Sequence, residues 1–318
     1  MAAFALRRLI TAIPVLVLVT LLTFLMIRLV PGDPAAVIGG LNATDEQIAE
    51  IRHDLGLDRP FIVQMGQWYW RLLHGDLGDS YLLSRPVSQA IVERLPVTLS
   101  LTAFALLLSV AIAVVVGILA AVRANSWLDQ VAMTLALLGV ALPNFWLALL
   151  LIIVFAVHLD LLPSGGYVPF TQDPWGWLQS CILPAVSLAL LQIGLIARIT
   201  RSTMLEVLDQ DYIRTAWAKG LPGWKVIFIH ALKNALVPVV TVTGISLGLL
   251  LGGSVVIETV FAIPGVGKLI GAAILRRDYP VMQGGMLFIT ALVMVVNVLT
   301  DLLYAVIDPR VAYERRRG

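Results

Sequence analysis

The chain has little of what chemistry usually needs. Its 318 residues include one cysteine, Cys181, and four histidines, His53, His74, His158 and His230. A single thiol excludes an internal disulfide and a cysteine-based metal site. The histidines are scattered and share no ligand spacing, so no metal is expected on this chain. Charged residues make up only 13% of the sequence and the net charge is +2, which implies no general attraction for nucleic acid. The patterns H-E-x-x-H and C-x-x-C are absent. Gly267-Lys268 is the nearest approach to a phosphate-binding loop. Leu269 follows where Ser or Thr is needed, and Ala262 fills the place of the first glycine, so nucleotide binding there is rejected. No residue looks like a nucleophile with its base, and the chain gives no positive support for an enzyme.

Apolar length is what it has in abundance. Hydrophobic residues make up 59% and the mean hydropathy is +0.92, the composition of a polytopic membrane protein. A bilayer core of about 30 Å needs roughly 20 apolar residues per helix. Six segments meet that length, near Leu9–Val30, Val97–Val122, Val131–His158, Leu183–Ile199, Ala235–Ile257 and Val281–Ile307. The fourth is the weakest, because Gln192 and Arg198 interrupt it. Arg7 and Arg8 precede the first run as in a signal peptide, but the run is too long and no small-x-small cleavage site follows, so it reads as an uncleaved span. Basic residues gather in alternate loops: Arg7 and Arg8; Arg123; the group from Arg198 to Lys233; then Arg310 and Arg315 to Arg317. The loop Asp160 to Ser180 has none, although Lys268, Arg276 and Arg277 break the trend in the last outer loop. The bias puts both termini in the cytoplasm.

Several polar or small residues stand out within this plan. Pro31 to Arg94 is a polar outer segment in which Thr44-Asp45-Glu46-Gln47 predicts a helix start, and Trp68, Tyr69 and Trp70 suit an interfacial helix. Such a segment either contacts an external protein or caps the span ends. In the third span Pro143 frees a carbonyl and Asn144 adds a polar side chain, which serves either a water-filled path or a helix–helix hydrogen bond. Gly244, Gly248 and Gly252 form a stripe in the fifth span that permits close backbone approach, with the partner helix unnamed. Asn297, Asp301, Tyr304 and Asp308 share one helix face. Pairing of Asp301 or Asp308 with Arg198, Arg201 or Arg214 is the leading reading, and a proton relay is the sharper alternative. Arg315 to Arg317 read as an anchor near anionic lipid.

The longest polar interruption runs from Asp211 to Pro238. It carries Arg214, Lys219, Lys225 and Lys233 against one carboxylate. Leu205, Leu208, Tyr212, Ala216 and Gly220 recur at helical spacing, and Gly220, Pro222 and Gly223 then break the helix. A second short helix is expected with Trp224, Ile227, Phe228 and Ala231 on one side. The loop is either a solvated basic connection or a surface shown to a partner.

R-T-A-W-A-K-G at 214–220 resembles the EAA loop of ABC importer permeases, and H-A-L-K-N-A-L-V-P at 230–238 resembles their peptide/nickel branch. Arg214 stands where the general pattern has Glu, and Pro238 lies further from Gly220 than that pattern allows. Both departures resemble the peptide branch. P-G-D-P at 31–34, G-D-L-G-D-S at 75–80, the P-G-V-G-x-L turn at 264–269 and N-x-x-x-D-x-x-Y-x-x-x-D-P-R at 297–310 resemble the same branch in the same order. The resemblance implies an all-α membrane protein with six transmembrane helices and the type I importer permease fold, in the bacterial inner membrane. It divides the chain into a tail and first span over 1–30, an extracytoplasmic segment over 31–95, a five-helix core over 96–310 with a coupling loop at 200–234, and a cytoplasmic tail over 311–318.

The same resemblance implies alternating access driven by two partner ATPases, which hold the ATP and magnesium; this chain binds no cofactor. A second, non-identical permease and an external substrate-binding protein complete the assembly. Thr215, Ala216 and Gly220 are expected to make the docking contact, with Arg214 and Lys219 at its rim. Asn144, Gln192 and Asp301 are the candidates for the pathway. The solutes implied are peptides, glutathione or nickel chelates. A proton-driven carrier without an ATPase, leaning on Asp301 and Gln192, is the alternative from another class, though no internal repeat supports it. A structural membrane scaffold is the third.

Overall fold

The computed structural model describes residues 2–29, 33–40 and 43–307, and apart from an isolated bridge between Asp79 and Pro86 these form helices and their connections. Helix α1 (Ala2–Leu29) leads into an outer trio, α2 (Pro34–Gly39), α3 (Asp45–Asp54) and α4 (Phe61–Leu73). The bundle follows: α5 (Val87–Val122), α6 (Trp127–Ala141), α7 (Asn144–Leu151) continued by a π turn to His158, and α8 (Pro174–Leu208). Then come α9 (Asp211–Ala218), α10 (Gly223–Lys225), a π turn (Val226–Ala231) and α11 (Leu232–Val260). Helices α12 (Val266–Arg276) and α13 (Tyr279–Ile307) close the chain.

Four stretches, Val87–Val122, Pro174–Leu208, Gly223–Val260 and Tyr279–Thr300, are long and apolar enough to cross a bilayer. The pair α6 and α7 makes a fifth if it counts as one span. Helix α1 is 28 residues long and includes the apolar run Ile13–Leu25.

The third span is broken at Pro143. Helices α6 and α7 meet at 105°. Pro143 has no N–H to continue α6, and its ring pushes Leu142 into extended backbone, at φ −83° and ψ 130°. The expected weak fourth span is instead the best buried of the candidate spans. Gln192, only 2% exposed, does not interrupt α8 because it is packed within protein. Small residues let neighbours close on this helix. A side chain at Gly194 would meet the Ala136 carbonyl of α6 at 2.3 Å, and one at Gly117 of α5 would meet Thr200 at 2.5 Å.

The glycine stripe finds its partner in α13. A methyl at Gly244 would lie 1.8 Å from Thr300, and one at Gly248 would lie 3.3 Å from Val293, whereas Gly252 faces open space. The first two glycines therefore pack a helix pair, and the third does not. The predicted helix start at Thr44 forms as a full capping box: Thr44 Oγ1 accepts from Gln47 N, and Gln47 Oε1 accepts from Thr44 N. Helix α4 lies against α1, with Phe24 edge-on to Phe61 and Trp68, and Thr20 bonded to Tyr69. Asp33, at the α2 N-cap, pairs with Arg52 of α3.

Candidate functional site

At one end of the bundle, α9 stands across the ends of α5, α8 and α11. Helix α8 stops at Leu208 and a turn through Asp209 and Gln210 starts α9, so the expected continuous face from Leu205 to Gly220 does not exist. Tyr212 is exposed while Ile213 and Ala216 are buried. Those two residues sit in a cluster with Ile118, Met204, Val226, Ala231 and Ala235. Burying Ile213 contributes roughly 2 kcal/mol, enough to hold so short a helix in place. Ala216 is thus part of the foundation of α9. Arg214, Thr215, Lys219 and Gly220 are exposed, as is Trp217 at 49%.

The C-terminus of α9 has a physical reason for its glycine. Gly220 has φ +75°; its N–H donates to the Trp217 carbonyl, and Leu221 N donates to that of Ala216. This is a Schellman turn, which places glycine at the left-handed position. Nothing lies within 4 Å of where a Gly220 side chain would begin. Trp217 folds over Gly223, with its ring 3.2 Å from a side chain built there.

The second loop helix is not separate. Gly223 to Val260 run as one 38-residue helix. The π turn at Val226–Ala231 changes the phase, so Trp224 and Phe228 are exposed while Val226 and Ala231 are buried; the expected common side is split. Asn234 on this helix donates to the Tyr212 hydroxyl at 2.8 Å and so ties α9 to α11.

Two of the arginines expected to meet Asp301 or Asp308 have partners among the described residues. Arg201 is bidentate to Asp129 of α6, at 2.5 and 2.6 Å, and Asp129 is also bonded by Asn125 N. Arg214 pairs with Asp209 at 2.7 Å and lies 3.8 Å from Asp211; Asp209 holds its pKa above the ordinary guanidinium value. The Asp301 side chain, Asp308, Arg310 and Arg315 to Arg317 lie outside the described residues. Of the remaining pathway candidates, Asn144 stands half-exposed at the α6–α7 break, where it and Leu188 of α8 both approach Gly253 of α11. Gln192 follows Leu188 by one turn, and its Oε1 is buried with no partner among the described residues.

The opposite end holds two buried carboxylates that sequence reasoning missed. Glu258, fully buried, accepts from Thr98 Oγ1 at 2.6 Å and from Lys268 N at 2.9 Å. Thr98 Oγ1 accepts in turn from Val266 N at 2.9 Å. The N-terminus of α12 is therefore capped from α11 and α5. A side chain at Gly265 would sit 2.3 Å from the Glu258 carboxyl, and one at Gly267 would sit 2.5 Å from Val255 Cα. That packing is why the P-G-V-G turn needs glycine. It also disposes physically of the phosphate-loop resemblance, because the anion position is filled by the chain's own carboxylate. Asp278, 2% exposed, accepts from Ser80 Oγ, Tyr81 N and Leu82 N, and so fastens the 75–86 segment to the α12–α13 turn. The available signal for Glu258 was a lone acid at the edge of an apolar run, which is expensive unless partnered. Among the described residues no cluster of His, Cys, Asp and Glu could hold a metal.

Residues 113–313 match the family described as binding-protein-dependent transport system inner membrane component, and residues 1–102 match its N-terminal companion. A candidate peptide transport system permease protein of Brucella abortus is 55% identical over 314 residues, covering 99% of this chain and 100% of the relative. The dipeptide transport system permease protein DppB of Escherichia coli K12 is 41% identical over 339 residues, with 99% and 100% covered. Among solved structures, the inward-facing MetNI methionine ABC transporter aligns with a TM-score of 0.59 at 21% identity, over 70% of this chain and 97% of that one. That likeness shows the fold.

Proposed function

The chain belongs to the family of binding-protein-dependent transport system inner membrane components, and from that premise we propose that it is the peptide-moving permease of an ATP-driven importer, worked through α9. The observation that carries the coupling role is the two-sidedness of α9. Ile213, Ala216 and the Tyr212 hydroxyl bind it to its own bundle, while Arg214, Thr215, Trp217, Lys219, Gly220 and the exposed part of the Tyr212 ring are left to a partner. Trp and Tyr beside arginine are the composition of an interface centre. The partner in this reading is an ATPase, which holds ATP and magnesium. Two ATPases, a second permease and an external binding protein make up the working unit.

In this reading the α9 end faces the cytoplasm, the chain spans the membrane six times, and the 31–95 segment faces outward. ATPase closure displaces α9, and the Asn234–Tyr212 bond and the shared apolar cluster carry the displacement into α11 and α8. The test is reconstitution with the partner ATPases, measuring uptake and ATP hydrolysis together. Gly220→Asp should abolish uptake while hydrolysis continues. Gly220→Asn, which also tolerates the left-handed backbone, should keep most uptake. Normal uptake by Gly220→Asp would refute docking at α9.

A further inference from the structure

Between α6 and α8, near the α9 end, lies a groove of about 160 Å³. Its walls include Met133, Leu137, Val140 and Gly194, and two arginines, Arg198 and Arg201, stand at its polar end. The two guanidiniums differ. Arg201 is held by Asp129, whereas Arg198 is exposed and has no hydrogen-bond or ion-pair partner among the described residues.

The helices run antiparallel here, with Arg201 opposite Asp129 and Gly194 opposite Ala136. Arg198 is therefore nearly level with Met133. Trp127, 71% exposed, opens α6 about 9 Å above that level. An exposed indole is characteristic of the membrane–water boundary. Reading inward by depth, α6 and α8 carry an exposed tryptophan, then a cation with no partner among the described residues, then an apolar slot. That is the order of headgroup, phosphate and acyl chain in a phospholipid. An arginine at the margin of the hydrocarbon is costly without a counter-ion, and an anion that arrives with its own chain supplies one.

We propose that this groove binds one anionic phospholipid, its phosphate on Arg198 and an acyl chain between Met133, Leu137 and Val140. Bound there, the lipid bridges the α6–α8 seam beside the Asp129–Arg201 pair.

The test is native mass spectrometry of the detergent-purified chain, with whatever companions it retains, titrated with phosphatidylglycerol or phosphatidylcholine. One phosphatidylglycerol per chain should bind in preference. R198Q should raise its apparent Kd about fivefold, the worth of one cation near an anionic surface. L137W fills the slot, keeps Arg198 and should displace the same lipid, so the proposal is tested even if R198Q fails to fold. Arg123 is exposed and does not line the groove, so R123Q should change nothing. Equal weakening by R123Q and R198Q, displacement by inorganic phosphate as effective as by lipid, or cross-linking of L137C to a second polypeptide in membranes would each overturn the proposal.

Discussion

Replacing Glu258 tests a fully buried polar site. The carboxylate takes the Thr98 hydroxyl and the Lys268 amide, and Thr98 takes the Val266 amide. Glu258→Ala removes both acceptor oxygens and leaves a void. Each orphaned buried donor costs about 1–3 kcal/mol, so the loss is roughly 3–5 kcal/mol before any relaxation. Thr98→Val keeps the shape but strips one donor from Glu258 and the acceptor from Val266, for about 2–4 kcal/mol. Glu258→Gln can still accept from Lys268 N and donate to Thr98, but it leaves the Thr98 hydroxyl proton without its acceptor and gives up the charge-assisted share, about 1–2 kcal/mol. Thermal unfolding in detergent should rank the losses with Glu258→Gln smallest, Thr98→Val next and Glu258→Ala largest. Hydrogen exchange at Val266 and Lys268 should rise in the same order. If Glu258→Gln is as damaging as Glu258→Ala, the site works by net charge, and the hydrogen-bond account is refuted. If Glu258→Ala leaves those amides protected, α12 is held by its apolar contacts alone.

Gly244→Ala should separate α11 from α13, since its methyl would lie 1.8 Å from Thr300, while Gly252→Ala should be neutral or slightly stabilising; paired unfolding curves compare them directly. Asp129→Asn should cost about 2–3 kcal/mol by leaving Arg201 partly buried without its partner, and a double change of Asp129→Leu with Arg201→Met should recover most of that loss in the same assay. Tyr81 has its pKa pushed up to about 12 from 10.0, first by burial and then by the charge of Asp278. Its folded state favours the neutral phenol, so stability is full below pH 10 and falls as pH rises towards 12. Ultraviolet titration should show a late component, which Tyr81→Phe removes.

Hydropathy locates the helices because apolar length is a one-dimensional property, and α5, α8, α11 and α13 lie where it points. Thr44-Asp45-Glu46-Gln47 is legible because a capping box is complete within four residues. Gly244 and Gly248 announce a close approach but not its partner, since Thr300 and Val293 are far along the chain. The same limit hides Glu258 and Asp278, whose donors Thr98 and Ser80 lie 160 and 198 residues away. Trp224 and Phe228 group with Ala231 only if the helix keeps 3.6 residues per turn, and the π turn does not. Ala216 looks like a docking residue because small size serves equally well against a partner and against one's own core. Ile213, its buried neighbour, is the better clue. The exposed Arg214, Thr215, Lys219 and Gly220 lie where the loop reading puts them, and their contact with an ATPase belongs to the proposal.

The continuous helix from Gly223 to Val260 is also a lever. At about 1.5 Å per residue it is a rod of some 57 Å, with α9 bonded at Asn234 in one half and Glu258 anchoring α12 near the far tip. A rocking of roughly 5° about its middle sweeps each tip about 2.5 Å in opposite directions, close to the width of a hydrogen bond. Pro238 lies shortly beyond the π turn that ends at Ala231 and four residues from Asn234, so the joint where this beam can flex is near its middle, beside the point where α9 is bonded.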